Sequence, residues 1–176
     1  MTRFLVISAL GEDRPGIVDA LSKVIVETGC NISDSRMTVL GGEFALILMI
    51  AGEEAAIARM QDRLPALEEQ LGLTMAARPT GPREGGARQL PYAVRVVAMD
   101  HPGIVHEVAR FFSQRGINIE EMNTGTYSAA HTGAPMFSLD MTVSLPADTA
   151  AARLREEFVT FCDELNLDAT LEPVTH

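Results

Sequence analysis

The hydrophobic pattern changes period at regular intervals along the chain. Phe4 to Leu10 is a short apolar run closed by Gly11, which predicts a largely buried strand. Ile17, Val18, Leu21, Val24 and Ile25 then recur on one helical face, and Gly29 predicts a left-handed residue ending that helix. Asn31 to Leu40 reads as a second strand, Gly41-Gly42 as a hairpin turn, and Phe44 to Ala51 as a third strand. Glu53 to Leu71 carries Ile57, Met60, Leu64, Leu67 and Leu71 at helical spacing, with Pro65 predicted to kink or split the helix. Leu73 to Pro79 completes a β-α-β-β-α-β order.

The second half repeats this order. Tyr92 to Met99 reads as a strand. Pro102 to Arg115 reads as a helix with Val105, Val108, Ala109, Phe111 and Phe112 inward. Asn118 to Tyr127 and Pro135 to Leu145 form a hairpin, Ala150 to Leu165 a helix, and Asp168 to Val174 a last strand. Two motifs recur at one constant spacing. Asp13-Arg14-Pro15-Gly16-Ile17-Val18 returns as Asp100-His101-Pro102-Gly103-Ile104-Val105, and Gly29-Cys30-Asn31-Ile32 returns as Gly116-Ile117-Asn118-Ile119. The chain is therefore a tandem duplication of an α+β unit, with domains at 1–79 and 91–176. Residues 80–90 lack periodicity, are rich in Gly and charge, and read as a linker.

The halves differ in two respects. Ala45 to Ile50 is apolar on both faces, whereas Phe137, Leu139, Met141 and Val143 alternate with Ser138, Asp140, Thr142 and Ser144. The free sheet face of the first half is therefore apolar and calls for a cover: a sheet, a helix or a partner subunit. The second hairpin is also longer, within 125–134, which suits either a mobile hairpin or a flap over a ligand or partner.

Composition narrows the function classes. The 176 residues carry a net charge of −10, and both halves are acidic, which argues against direct contact with nucleic acid or with an anionic membrane surface. The two cysteines, Cys30 and Cys162, form no C-x-x-C pair and read as reduced, buried thiols. No run reaches the roughly 18 apolar residues that a membrane span needs, and the N-terminal run is too short for a signal segment. These features predict a soluble, cytoplasmic protein.

The repeated turn is the candidate site. A helix N-terminus opened by Pro15-Gly16 or Pro102-Gly103 points backbone N–H groups outward and favours carboxylates. The glycines let a ligand approach the backbone. Asp13 and Asp100 either cap their helices or receive a ligand ammonium. Asn31 and Asn118 open the next strand, expected beside the turn, and either fix that turn or join it in recognising a zwitterion such as a free amino acid. No catalytic arrangement competes. His101 and His106 fall on different helix faces, no metal set is complete, and no phosphate-binding loop or nucleophile elbow occurs.

These residues resemble the ACT domain, a ferredoxin-like regulatory module with an antiparallel sheet. Two in tandem resemble the glycine cleavage system transcriptional repressor family. Ile7-Ser8-Ala9-Leu10-Gly11, Asp13 to Val18, Gly29 to Ile32 and Asp34-Ser35-Arg36 all match its pattern. The resemblance implies a homo-oligomeric regulator without enzymatic activity or cofactor. It would bind a small amino acid, with glycine the candidate, where two ACT domains meet. The site residues carried over are Asp13, Arg14, Pro15, Gly16, Ile17, Val18 and Asn31, with Asp100, His101, Pro102, Gly103, Ile104, Val105 and Asn118. It also implies action through a protein partner such as a transcriptional activator. Two rival readings are a ligand-free interaction module and a regulatory subunit of a separate amino-acid enzyme. The replacement of Arg14 by His101 implies that the two sites need not share a ligand.

Overall fold

A computed structural model describes residues 1–82 and 88–175. The chain divides into two compact units, residues 1–84 and 85–176. The first contains β1 (Thr2–Glu12), α1 (Ile17–Glu27), β2 (Asn31–Leu40), β3 (Glu43–Glu53), α2 (Glu54–Leu71) and β4 (Thr74–Thr80). The second contains β5 (Gln89–Met99), α3 (Ile104–Ser113), β6 (Asn118–Ser128), β7 (Pro135–Pro146), α4 (Ala151–Glu164) and β8 (Asp168–Pro173). Each unit is βαββαβ with an antiparallel sheet, in the orders β2-β3-β1-β4 and β6-β7-β5-β8. Of the segment read as a linker, Thr80, Gln89 and Leu90 are strand residues, and 83–87 lie outside the described residues.

The strands outrun the apolar segments that predict them. β1 pairs with β3 from Thr2↔Glu53 to Glu12↔Glu43, because the hydrogen-bond ladder continues where side chains are no longer buried. Gly11 therefore does not end the strand. It stands where a Cβ would lie 2.7 Å from a Leu73 methyl carbon and 2.9 Å from the Gly72 carbonyl oxygen, so it marks a close approach. Nor does Pro65 split α2. The helix runs unbroken from Glu54 to Leu71, and Gln61, whose carbonyl loses its N–H partner to Pro65, is exposed to water.

Each core lies between one sheet face and its two helices. Leu5, Ile7, Leu46, Leu48 and Ile50 meet Ile17, Leu21, Ile25, Met60 and Leu67 in the first unit. In the second, Val94, Val96, Leu139, Met141 and Val143 meet Phe111, Phe112 and Phe158, whose rings stand 5.1 to 5.2 Å apart. Ile104 is buried on α3, while Val105 and Ala109 are only half-buried. The first helix of each unit ends in a left-handed glycine. Gly29 (φ 83) and Cys30 donate to Val26 and Ile25, and Gly116 (φ 65) and Ile117 donate to Ser113 and Phe112. This satisfies carbonyls at the helix end and turns the chain into β2 or β6.

Candidate effector site at the repeated turn

Arg14-Pro15-Gly16-Ile17 forms a tight turn before α1, with Gly16 at φ 92 and ψ −3. Gly103 repeats this at φ 96 and ψ −4. Proline followed by a glycine of positive φ is the type II combination. The Gly16 carbonyl accepts the first helical bond from Ala20 at 3.0 Å, and Gly103 accepts from Glu107 at 3.0 Å. Gly16 and Gly103 are thus the N-caps. Asp13 and Asp100, expected as possible caps, lie upstream of them, and no side chain caps either helix. Pro15 and Pro102 precede their helices instead of occupying the first turn. The reason is geometric: four residues separate the strand end from the first helical residue, and the proline and glycine are the two central residues of the turn.

The N–H groups of Ile17, Val18 and Asp19 precede the first intrahelical bond and point along the helix axis. Ile17 and Ile104 are buried anchors, Val18 is exposed and Val105 is half-buried. The backbone N–H of Asp13 donates to the Gly42 carbonyl at 2.9 Å, and that of Asp100 donates to the Pro135 carbonyl at 2.9 Å. The β2–β3 and β6–β7 hairpin ends therefore border the turns. The sequence reading offers only the second hairpin, as a flap, and does not name the first as a neighbour, although the antiparallel pairing of β1 with β3 dictates it. In the second unit the bordering hairpin is the longer one. Its loop is closed by Ala129 N–H to the Ala134 carbonyl and Gly133 N–H to the Ala129 carbonyl, at 2.9 and 2.8 Å.

Arg14 and both asparagines are placed otherwise. Arg14 turns away from the helix N-terminus, and its guanidinium Nη2 donates to the carbonyls of Leu71 at 2.9 Å and Gln70 at 3.2 Å. It thereby caps the C-terminal end of α2, where a cation is favoured. His101 does not repeat this, and its Nδ1 lies 3.1 Å from the Pro102 carbonyl oxygen. Asn31 is not beside the turn of its own unit. It pairs with Ala51, which pairs with Phe4, at the start of β1, whereas the turn follows the end of β1. The register separation from Phe4 to Glu12 amounts to roughly 27 Å. Asn118 is displaced in the same way, paired with Ser144 and level with Pro91, and its amide donates to Glu120 at 2.8 Å. Strand order is the cause: the helix returns the chain to the opposite end of the sheet before β2 begins.

Among the described residues, no group of three or more His, Cys, Asp or Glu side chains could hold a metal ion. No helix among them is long and apolar enough to cross a membrane.

Comparison with known proteins agrees with this architecture. ACT-domain families match residues 3–78 and 92–159. The glycine cleavage system transcriptional repressor of Escherichia coli K12 is 32% identical over 173 residues, covering 98% of this chain and 91% of that protein. A UPF0237 protein of Methanopyrus kandleri is 37% identical over 75 residues, covering 42% of this chain and 82% of its own. The crystal structure of a candidate glycine cleavage system transcriptional repressor superposes with a TM-score of 0.73 at 30% identity, covering 100% of this chain and 99% of the other. A protein of unknown function from Galdieria sulphuraria superposes at 0.78 with 28% identity, covering 99% and 100%. With an ACT domain in each half, the chain belongs to the glycine cleavage system transcriptional repressor family.

Proposed function

We propose that this chain is a non-catalytic sensor that binds a small amino acid, with glycine the first candidate, and controls the expression of glycine-cleavage or amino-acid metabolic genes through protein contacts. The observation that carries the reading is the uncapped helix N-terminus. The N–H groups ahead of the first α1 bond have no side-chain partner, and the turn is held by Gly16 in a conformation that glycine adopts readily. Such a terminus suits a ligand carboxylate. Asp13, exposed at the mouth of the turn, supplies a counter-charge for an ammonium.

Asn31 joins this site from a second copy. It is exposed at the start of β2, an edge strand whose residues are all exposed. Antiparallel pairing of β2 with its counterpart in another copy sets Asn31 opposite the hairpin end of the partner, and Asp13 is bonded to that end. One amino acid is then held by the turn of one copy and the amide of the other. Effector binding would favour one arrangement of the regulator over another and so alter its fit to a protein partner. The acidic surface fits action through a protein such as a transcriptional activator and not through DNA itself. The reading is tested by titration calorimetry with glycine, serine and alanine. Binding by the native chain and its loss in Asp13→Ala and Asn31→Ala supports the site. Equal affinity in all three proteins overturns it.

A further inference from the structure

We propose that the uncovered face of the first sheet is a self-association surface that packs on the same face of a second copy with strands aligned. Leu5, Ile7, Leu46 and Leu48 point into the core, so the alternate residues of β1 and β3 form the opposite face. There Leu10 is 54% exposed and Ile47 52% exposed, with Phe4, Val6, Ala45 and Met49 half-buried around them.

Cross-strand pairs share a face, so the ladders define rows across it. One row runs Asp34, Met49, Val6, Arg78 from the β2 rim to the β4 rim. It has an acid at one rim, a base at the other and apolar side chains between. Consider a two-fold axis parallel to the strands, between β1 and β3. It lays β1 over the partner's β3 and β2 over the partner's β4. Asp34, which also pairs with Arg36 of its own strand on the same face, then meets Arg78 of the other copy, twice. The central pairs are large over small: Leu10 over Ala45, Ile47 over Ser8 and Phe4 over Ala51, each register partners on this face. Aligned sheets pack at about 30°, which moves the rim positions by about 4 Å, within reach of an arginine side chain. Arg78 is exposed and has no ion-pair partner among the described residues.

The second unit supplies the contrast. Its corresponding row is Glu121, Thr142, Ala93, Glu172, with acids at both rims. The same operation there sets Glu121 against Glu172. Its face also carries an Arg95–Asp140 ion pair at 3.0 Å at the centre. The same operation on the first face sets opposite charges together at the rims and lays Arg36 over the small Ala76, whereas on the second it sets like charges together.

Four strands about 4.8 Å apart and rows from Phe4 to Leu10 give about 450 Å2 per copy. The total of about 900 Å2 lies at the weak end of specific interfaces, so association should depend on concentration. This face includes β2 side chains, with Asn31 in the Phe4 row, but not the β2 backbone edge or the turn, and the proposal does not rest on the effector reading.

The test is sedimentation equilibrium of the full chain from micromolar to sub-millimolar concentration, with circular dichroism to confirm folding. The weight-average mass should double across the series. Ile47→Glu and Arg78→Glu, both at exposed positions, should abolish the rise, and the swap Asp34→Lys with Arg78→Asp should restore it. A native mass that stays constant with concentration, or a rise that survives Ile47→Glu, overturns the proposal. A rise lost in Ile47→Glu but kept in Arg78→Glu overturns the aligned two-fold arrangement.

Discussion

Asn31 and Asp13 stand at opposite ends of the same sheet. Asn31 is level with Phe4 through Ala51, while Asp13 follows Glu12 and donates its N–H to Gly42. No single unit can close both around a small ligand, because the gap of roughly 27 Å far exceeds an amino acid. If both bind the effector, each site draws on two copies.

Complementation follows from that geometry. Asp13→Ala and Asn31→Ala should each weaken effector binding by about tenfold to a hundredfold, the range for a hydrogen bond to a charged group. A mixed dimer of the two variants carries both lesions in one site and leaves the other intact. Calorimetry on the mixture should therefore recover high-affinity sites that neither variant shows alone. No recovery after subunit exchange would place Asn31 outside the site.

Arg14 should matter for stability and not for ligand recognition. Its guanidinium bonds the carbonyls of Gln70 and Leu71. Arg14→Ala should lower unfolding free energy by about 1 kcal/mol in urea, as expected for loss of partly exposed hydrogen bonds at a helix C-terminus. His101→Ala, which removes no such cap, should change stability by less than about 0.5 kcal/mol. Equal effects of the two substitutions would contradict the assignment.

The turn glycines report backbone strain. Gly16 and Gly103 lie at φ 92 and 96, with nothing within 4 Å of an added Cβ. The space is open and the torsion alone opposes a side chain. Gly16→Ala and Gly103→Ala should each cost about 1 to 3 kcal/mol in denaturant unfolding. A valine there strains the fold as well as the site, so binding loss in such variants is not specific. Neutral alanine variants would refute the left-handed turn.

Burial, with a smaller contribution from the Asp163 charge, pushes the Cys162 thiol from its usual 9.0 up to about 12. The raised value means the folded chain keeps a proton that the unfolded chain releases. Its contribution to stability is complete below about pH 9 and is lost as pH rises towards 12. Urea unfolding across that window should show a shallower decline for Cys162→Ala than for the native chain. Identical slopes would contradict a protonated, buried thiol.

The β-α-β-β-α-β order was legible because burial imposes period 2 on strands and 3.6 on helices. Strand ends were less so. Thr2 and Glu12 are held by ladder bonds, and exposed strand ends leave no hydropathy signal. The Asp13 to Val18 turn could be placed from Pro15-Gly16, whose types suit one turn geometry. Asn31 was misplaced because its distance from that turn depends on strand order, which local pattern does not encode. Arg14 looked like a ligand residue for the same reason: Leu71 is distant in sequence, and only the packed fold brings the end of α2 to it. The apolar free face was visible in Ala45 to Ile50. Its charged rims were not, since Asp34 and Arg78 share a row only through the register of four strands.

On the proposed reading the repeated turn senses an amino acid. Thermal and urea unfolding of the native chain against millimolar glycine, the other free amino acids and small carboxylates tests it directly. A ligand of the folded state at about 100 times its Kd adds about 2.7 kcal/mol. A dose-dependent rise for glycine or one close relative, absent in Asp13→Ala, is the predicted result. An unchanged unfolding curve across the whole panel would contradict the sensor and leave a ligand-free interaction module.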